Sequence, residues 1–463
     1  MTKDLAMAPV RSAGILPALP FRKDAGWKPA LRTVVVAVAL PFAAHAAAPQ
    51  GMLETIHKHV TLASTVTDNG DLNPYAVVVA PVSAGVIQKD DVLVDNFNNL
   101  SNLQGTGTTI VDYRPSTKQT LLFAKLPQKL AQCPGGVGLT TAMTMLKTGW
   151  VIVGSTPSTD GTTATKGVGC VLVLDPQGKL VAAWSGPTIN DPWGDMAVKD
   201  DGDKATLFIS MAGFGLQSPD VIDPTTKLPV VIHKSTVLRL ELSIPEGKPP
   251  VLVSQSVVGD GFAQRADRDN FLLGPTGLAL SPDGTLYVTD GLDNLIVAIP
   301  DALTRTTSAG TGKTVTQGGL LSWPLAMALT PAGHLLVCNG KDGRLVEIDP
   351  AAGKQVYAQW INNDQAQSPP GNGDLFGIAL TPEGDGFYYV QDDVNTIMKA
   401  SRLAAPRDAD CSPARPDSRA WPPRRGPPRP SRPSTAPSNP STALTRAVSP
   451  PHSNVTAISP PST

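Results

Sequence analysis

The feature that most constrains this sequence is a repeat of about 50 residues in its second half. The prolines of three similar turns, Pro282, Pro331 and Pro382, are 49 and 51 residues apart in the chain. The first of these turns separates the apolar run Gly277–Leu280 from the alternating run Thr285–Thr289, a pattern typical of short antiparallel strands. A period of this length, with about four strands in each repeat, is typical of the blades of a β-propeller.

Six such units fit the chain between residues 73 and 403. Their predicted bounds are Asn73–Leu126, Gly136–Ser185, Asp191–Val258, Gly274–Gly318, Trp323–Trp360 and Asp374–Leu403. The last unit supplies only three strands, and the alternating segment Thr55–Thr67 can provide the fourth. We therefore predict an all-β, six-bladed β-propeller over residues 52–403, in which an N-terminal strand closes the last blade and covers its open edge.

The first 46 residues have the pattern of a secretory signal, preceded by an unusually long N-terminal extension. Lys28 and Arg32 come before the apolar run Val34–Ala44, which ends in the small-x-small sequence Ala44-His45-Ala46. The run is too short to span a bilayer comfortably, so we expect no stable membrane insertion. The pattern predicts export to the periplasm or the extracellular space; a retained apolar anchor is the alternative.

The composition changes abruptly after Leu403. Residues 406–463 contain 15 prolines and eight arginines but no lysine. A segment with so few apolar residues cannot bury enough surface to offset the entropy of ordering it, so we predict a disordered tail over residues 404–463. The net charge of −1 offers no extended basic surface, and we expect no nucleic-acid partner.

The four cysteines contain no Cys-x-x-Cys pair, which argues against a zinc or redox centre of that type. Cys133 and Cys170 both fall in the second repeat, with Cys133 just before the predicted blade. Two buried free thiols are the favoured interpretation of this pair, because cysteines with apolar neighbours are commonly buried and unpaired. A disulfide is the alternative if the protein is exported.

Propeller topology places the functional surface on one face. The connections into each inner strand and those between second and third strands open on the same side, and they include the long segments Asn96–Gly107, Ser155–Gly167 and Gly213–Lys234. We expect an unknown small molecule or protein to bind there, around the mouth of the central channel. The candidate ligand-binding residues are Asn73, Asn96, Asn98, Asp191, Trp193, Asp290, Trp323, Asn339, Asp374 and Asp392. Alternatively, the Asn and Asp residues are turn formers that cap backbone groups, and the tryptophans pack between blades.

The repeats resemble those of the NHL-repeat six-bladed propellers over roughly residues 73–403. The segments that carry the resemblance are Gly274–Ala279 with Leu286–Asp290, and Phe376–Ala379 with Tyr388–Val390. The resemblance implies the fold, but it spans scaffolds, binding proteins and enzymes.

Two enzyme groups with similar propellers provide the alternative function. Propellers similar to gluconolactonase and regucalcin hold a divalent cation partly with Asn or Asp at the starts of inner strands. The matching positions here are Tyr75, Trp193, Thr276, Leu325 and Leu375 or Phe376. Propellers that resemble streptogramin lyase need a histidine near the channel mouth, and His233 is the one candidate in the sequence.

These comparisons with enzyme chemistry predict no metal, no cofactor and no catalytic residue. The sequence therefore favours an exported, monomeric binding module or scaffold that acts through its long-loop face. A hydrolase or lyase similar to gluconolactonase or streptogramin lyase remains the alternative.

Overall fold

The structure is a computed structural model that describes residues 51–362 and 364–403. The chain divides into two compact units, Met1–Ala404 and Ala405–Thr463, and all described residues belong to the first. The predicted signal region and the predicted Pro/Arg-rich tail lie outside the described residues. No helix in the described segments has the length and hydrophobicity that a membrane span needs.

The described residues form six antiparallel sheets, which are the blades of a propeller. Blade 1 contains β2 (Leu72–Val79), β3 (Val92–Asn98), β4 (Thr109–Arg114) and β5 (Gln119–Lys125). Blade 2 contains β6 (Leu139–Met145), β7 (Val151–Ser155), β8 (Cys170–Leu174) and β9 (Leu180–Trp184). Blade 3 contains β10 (Ala197–Asp200), β11 (Lys204–Met211), β12 (Ile232–Ser243), β13 (Val251–Asp267) and β14 (Phe271–Leu273).

The remaining blades complete the ring. Blade 4 contains β15 (Pro275–Leu280), β16 (Leu286–Asp290), β17 (Leu295–Ile299) and β18 (Lys313–Gln317). Blade 5 contains β19 (Pro324–Leu329), β20 (Leu335–Asn339), β21 (Arg344–Asp349) and β22 (Lys354–Trp360). Blade 6 contains β23 (Leu375–Leu380), β24 (Gly386–Gln391), β25 (Thr396–Arg402) and β1 (Ile56–Ser64). Two short 3-10 helices are present, Leu53–Thr55 and Thr163–Thr165. The prediction of an all-β six-bladed propeller is confirmed.

The N-terminal strand β1 closes blade 6, as the sequence predicts. It pairs antiparallel with β25 from Ile56 opposite Arg402 to Ser64 opposite Thr396. The segment just before it is anchored in blade 5, because the buried Glu347 carboxylate accepts backbone N–H groups from Met52 (2.9 Å) and Leu53 (2.7 Å). The first and last strands of the described chain therefore share one sheet, which closes the ring, and β1 covers the edge of β25.

The turns that end the inner strands have the predicted chemistry. In blade 4, the Gly284 N–H donates to the Ser281 carbonyl at 3.0 Å, and the Thr285 N–H donates to the Asp283 carboxylate at 2.9 Å. Gly284 has a φ of 85°, a conformation that glycine adopts without steric cost. These turns define the tight-turn face of the propeller, at the ends of the inner strands.

The opposite end is the long-loop face. It carries the β3–β4, β7–β8 and β11–β12 connections, which are residues 99–108, 156–169 and 212–231. Between the two faces, apolar side chains of neighbouring blades pack against one another; Leu93 of blade 1 and Val151 and Leu172 of blade 2 share one fully buried cluster. Each such side chain contributes about 1.5–3 kcal/mol through burial.

Blade 3 departs from the expected four-strand unit. The long strand β13 pairs with β12 over most of its length, and its last residues, Arg265–Asp267, also pair with the short strand β14. The repeat pattern did not indicate this fifth strand, because β14 lies in the connection to blade 4 rather than in the repeated part.

The favoured interpretation of Cys133 and Cys170 as free thiols is wrong. The two residues form a disulfide, with their Cα atoms 5.1 Å apart. The bond joins the loop that follows β5 to the start of β8, so it braces a connection on the long-loop face of blade 2. Cys338 is a buried free cysteine in β20.

Candidate functional site

The topology brings the ten predicted site residues to the long-loop face. Each lies near the start of an inner strand or near the end of a second strand. The eight that are buried are Asn73, Asn96, Asn98, Asp191, Trp193, Asp290, Asn339 and Asp374. Trp323 and Asp392 are half-buried. Because most of these residues are buried, they mainly stabilise the long-loop face, and a ligand can reach only some of them.

Several of these residues cap backbone groups, as the turn-former alternative expects. The Asn96 amide donates to the Thr65 carbonyl at 2.9 Å, which ties blade 1 to the segment after β1. The Asn339 side chain accepts from the Ser322 N–H at 3.1 Å and donates to the Leu320 carbonyl at 2.8 Å. For Asn96 and Asn339 the structural role is therefore directly visible.

Three of the predicted residues have a left-handed backbone and precede a proline at the start of an inner strand. Their φ values are 64° for Asn73, 51° for Asp191 and 53° for Trp323. Asn and Asp tolerate this conformation, whereas it is uncommon for a residue as large as tryptophan. The left-handed backbone thus explains why Asn and Asp occupy two of these positions. It does not explain Trp323, whose positive φ implies local backbone strain.

Several of the predicted residues have a buried side-chain oxygen that lacks a hydrogen-bond partner in the described part of the protein. Within the predicted set, these buried acceptors are Asn73 Oδ1, Asn96 Oδ1, Asn98 Oδ1, Asp191 Oδ1, Asp374 Oδ2 and Asp392 Oδ1. Bound water molecules and cations commonly serve such oxygens. The long-loop face therefore offers acceptors that the protein itself leaves unused.

Aromatic side chains fill the centre of this face. Tyr75 stacks on Phe97 and on Phe376, with ring centroids 4.5 Å and 4.1 Å apart. Trp193 stacks on Phe271 at 6.0 Å and meets Phe97 edge-on at 5.6 Å. All five rings are buried. We call these five residues the aromatic plug. Because blades 1 and 3 are not neighbours, their side chains can meet only across the propeller axis, so the plug closes the channel at its long-loop end.

The two predicted tryptophans therefore differ. Trp193 belongs to the aromatic plug and is 2% exposed, which is the packing role that the alternative expects. Trp323 is half-buried, with the Lys341 ammonium 4.7 Å and the Arg265 guanidinium 6.0 Å from the ring centre. Trp323 is thus the aromatic residue of the predicted set that reaches the surface, between two cations.

Asp191 forms a buried ion pair that the sequence did not indicate. Its Oδ2 lies 2.8 Å from Lys166 Nζ, and Lys166 comes from the β7–β8 loop. Burial raises the pKa of Asp191 to about 6, and the nearby ammonium opposes that rise. The pair fixes the long loop of blade 2 over the start of blade 3.

The carboxylates of Asp374, Asp392 and Asp393 are the group best placed to hold a metal ion among the described residues. Each can offer one oxygen, and these oxygens lie within 4.8 Å of one another. Burial, more than the neighbouring Asp393 carboxylate, raises the pKa of Asp374 to about 7. The Gln367 amide donates to Asp374 at 2.6 Å. This geometry suits a hard cation such as Ca²⁺, although it lies in one blade and not at the starts of several inner strands.

A cavity of about 320 Å³ lies between the long loops of blades 1 and 2. Three loops form its walls, which combine polar and apolar groups. The lining residues are Asn99, Thr106, Gln128, Lys129, Gly135, Val137, Pro157, Ser158 and Thr159. The Cys133–Cys170 disulfide anchors the loop that supplies Gln128 to Val137. The cavity is within the size range of small-molecule sites.

The enzyme alternatives need cation ligands or a histidine at the channel mouth. The inner-strand starts there carry Tyr75, Trp193, Leu325 and Phe376, which pack together in one buried apolar cluster. His233 is not in a loop; it is exposed on β12, opposite Ala263. Within the described segments, no carboxylate forms an ion pair with His233.

The sequence indicated the long loops of blades 1 and 2 but not their individual cavity residues or Lys166, and it indicated neither Asp393 nor Asp195, a carboxylate inside the channel. Only Asp195 had a signal that could have been used: Pro192-Trp193-Gly194-Asp195 aligns with Pro275-Thr276-Gly277-Leu278, so an acid replaces an apolar residue of the repeat.

No family model matches the chain, and no curated protein matches it. Solved structures similar to it include a gluconolactonase from Xanthomonas campestris, with 13% sequence identity and a TM-score of 0.44, covering 74% of this chain and 89% of that chain. Another is the PQQ-bound aldose sugar dehydrogenase of Streptomyces coelicolor, with 16% identity and a TM-score of 0.44, covering 74% of this chain and 98% of that chain. Likeness at this level carries no argument about activity, and the six-bladed fold rests on the sheet topology.

Proposed function

We propose that this protein is an exported propeller that binds a small polar ligand with an acidic group through its long-loop face. The observation that carries the proposal is the cavity of about 320 Å³ between the long loops of blades 1 and 2. Long loops on a rigid β scaffold are where binding sites concentrate, and the channel mouth beside them is filled by the aromatic plug.

The walls of this cavity support binding because they are held by their own hydrogen bonds. The Ser158 hydroxyl donates to the Thr162 carbonyl at 2.9 Å, and the Asn99 N–H donates to the Thr106 hydroxyl at 3.1 Å. Loops that are already ordered lose little entropy when a ligand binds. Lys129 is exposed at the rim and supplies a positive charge for an acidic group.

Two observations support export. The N-terminal sequence has the pattern of a secretory signal, and the Cys133–Cys170 disulfide fits an oxidising compartment. We propose a monomer that acts without nucleic acid, membrane insertion or a cofactor. We also propose that this propeller belongs with the NHL-repeat propellers that its repeats resemble. The hydrolase alternative has less support, because apolar side chains occupy all but one of the inner-strand starts where its cation ligands would lie. The lyase alternative has less support, because His233 lies on β12, the third strand of its blade.

The proposal is tested with succinate and its uncharged diamide, succinamide, as probes in thermal unfolding. We expect succinate to raise the melting temperature more than succinamide does, since a ligand of the native state stabilises it. Lys129→Gln should weaken succinate binding about two- to fivefold, as expected for an exposed ion pair. Thr159→Trp should block the cavity and abolish binding.

Matched controls lie on the same face but outside the cavity: Lys227→Gln and Thr225→Trp, both at exposed positions. These variants should bind as the wild type does. Equal stabilisation by succinate and succinamide, or unchanged succinate binding by Thr159→Trp, would contradict the proposed site. Turnover of lactones or esters that a chelator abolishes would favour the enzyme alternative instead.

A further inference from the structure

The central channel contains a second cavity, of about 300 Å³, on the other side of the aromatic plug. Its lining reaches Val79, Thr144 and Leu380, which lie at or near the ends of β2, β6 and β23. The cavity therefore extends to the tight-turn face. At its inner end, Tyr75 and Trp193 of the plug lie two residues before Val77 and Asp195 of the lining.

Asp195 is the charged side chain of this lining. It lies three residues after Pro192, which bridges to Met211 at the end of the second strand of its blade. The residues three positions after the same bridge in the other blades are Val77, Ala142, Leu278, Met327 and Ile378. Blade 3 is thus the one blade of the six that has an acid at this position, where the others have an apolar residue. Burial of a carboxylate is costly when no charged partner compensates it.

The partners of Asp195 in the protein are uncharged. Its Oδ2 accepts the Met327 N–H of blade 5 at 2.9 Å, across the channel, and its own N–H donates to the Thr276 carbonyl of blade 4 at 2.8 Å. In the described part of the chain, no Lys, Arg or His forms an ion pair with it. The carboxyl group is half-buried and faces the cavity.

The rest of the lining is suited to an amphipathic cation. The inner strands are edge strands of their sheets, so they present backbone carbonyls without a strand partner to the channel. Between these polar edges lie aliphatic side chains such as Leu278, Met327 and Ile378. A primary ammonium has three donors and no acceptor, which matches one carboxylate and several carbonyls. A divalent metal would need more anionic oxygens than the single carboxylate provides.

We propose that the tight-turn end of the channel binds a small primary amine with a short aliphatic chain, whose ammonium group pairs with the Asp195 carboxylate. The alkyl chain lies against the aliphatic side chains of the inner strands. This site is separate from the cavity between blades 1 and 2, and the proposal does not depend on the proposed function.

The pairing has a defined pH dependence. Burial raises the pKa of Asp195 to about 8, and backbone N–H groups of Met327 and Leu278 oppose the rise. The titratable group that interacts with it from blade 5, across the channel, is the Cys338 thiol of β20, whose pKa burial also raises, so that it stays neutral. The ammonium must therefore displace a proton from Asp195, and binding should strengthen by about tenfold per pH unit as the pH rises towards 8.

The test is calorimetric titration of the full chain with n-butylamine hydrochloride, with n-butanol and butyrate as neutral and anionic probes of similar size. We expect binding of butylammonium only, stronger at pH 8 than at pH 6. Asp195→Asn should weaken it about tenfold or more, as expected when a charged hydrogen-bond partner is lost. Asp201→Asn, at an exposed acid of blade 3, is the matched control and should bind normally.

Leu380→Trp, at the open end of the channel, keeps Asp195 and provides a second route if Asp195→Asn fails to fold. It should exclude butylammonium by narrowing the entrance, while the melting temperature without probe stays close to that of the wild type. Binding of n-butanol as tight as that of butylammonium, or unchanged butylammonium binding in either variant, would overturn the proposal. Asp195 would then serve only to cap the backbone of blades 4 and 5.

Discussion

At the scale of single residues, the long-loop face separates into side chains that build the fold and side chains that a ligand can reach. Trp193 and Trp323 show the difference, because both lie near the start of an inner strand but only Trp323 is half-buried. Trp193 contacts Tyr75, Phe97 and Phe271 of the aromatic plug. The residue type alone therefore does not identify a ligand contact.

Replacement of these two tryptophans with alanine should have opposite consequences. We expect Trp193→Ala to destabilise the protein by about 3–5 kcal/mol, since it leaves a cavity in a packed aromatic cluster. Trp323→Ala should cost less than about 2 kcal/mol, because its ring is partly solvated. Urea unfolding of both variants measures this. Equal losses of stability would show that Trp323 is also a packing residue.

Buried carboxyl groups should make stability depend on pH in an unusual direction. Burial raises the pKa of Asp95 to about 8, although the Ala76 N–H donates to it at 2.8 Å. The folded state then binds more protons than the unfolded state between about pH 4 and 8, so stability should fall as the pH rises through that range, by at most about 1.4 kcal/mol per pH unit for one group.

Asp95→Asn removes this titrating group and keeps a side chain of nearly the same shape. The variant should show a shallower loss of unfolding free energy between pH 5 and pH 8 than the wild type. Asp201→Asn, at an exposed position, should leave the slope unchanged and serves as the control. An identical slope in Asp95→Asn would show that Asp95 titrates near its ordinary pKa in the folded protein.

At the scale of elements, the structure depends on one non-local strand pairing. The closing strand β1 and its partner β25 are more than 300 residues apart in sequence, and Leu53 and Ile56 at the start of that segment are fully buried. Glu347 adds contacts to the same segment from blade 5, and His334 Nδ1 lies 2.8 Å from it. The N-terminal segment is therefore part of the core and not an appendage.

Deletion of residues 52–68 should expose the edge of β25 and the cores of blades 5 and 6. We expect aggregation or a large loss of stability, because an uncovered strand edge pairs with other chains. A truncation that starts at Gly51 and keeps β1 is the control. Size-exclusion chromatography and thermal unfolding of the two truncations compare them; a monomeric deletion variant with the control's melting temperature would contradict the role of β1.

At the scale of the whole molecule, sequence reasoning reached the blade count, the closing strand and the face to which the polar residues project. These features follow from turn spacing and strand alternation, which are local. The aromatic plug was not predictable, because the rings that point to the axis depend on the irregular pairing between Pro74 and Val77 in blade 1 and its counterparts. The Cys133–Cys170 bond and the loop cavity depend on how distant loops meet, which no local pattern encodes.

The most direct test of the central claim is hydrogen–deuterium exchange of the full chain with and without saturating succinate. We predict slower exchange confined to residues 99–106, 128–137 and 157–159, the segments that form the cavity between blades 1 and 2. Protection at residues 73–75, 191–193, 323–325 and 374–376 instead would place the ligand at the channel mouth, and unchanged exchange throughout would mean that the long-loop face does not bind it; either result would contradict the account.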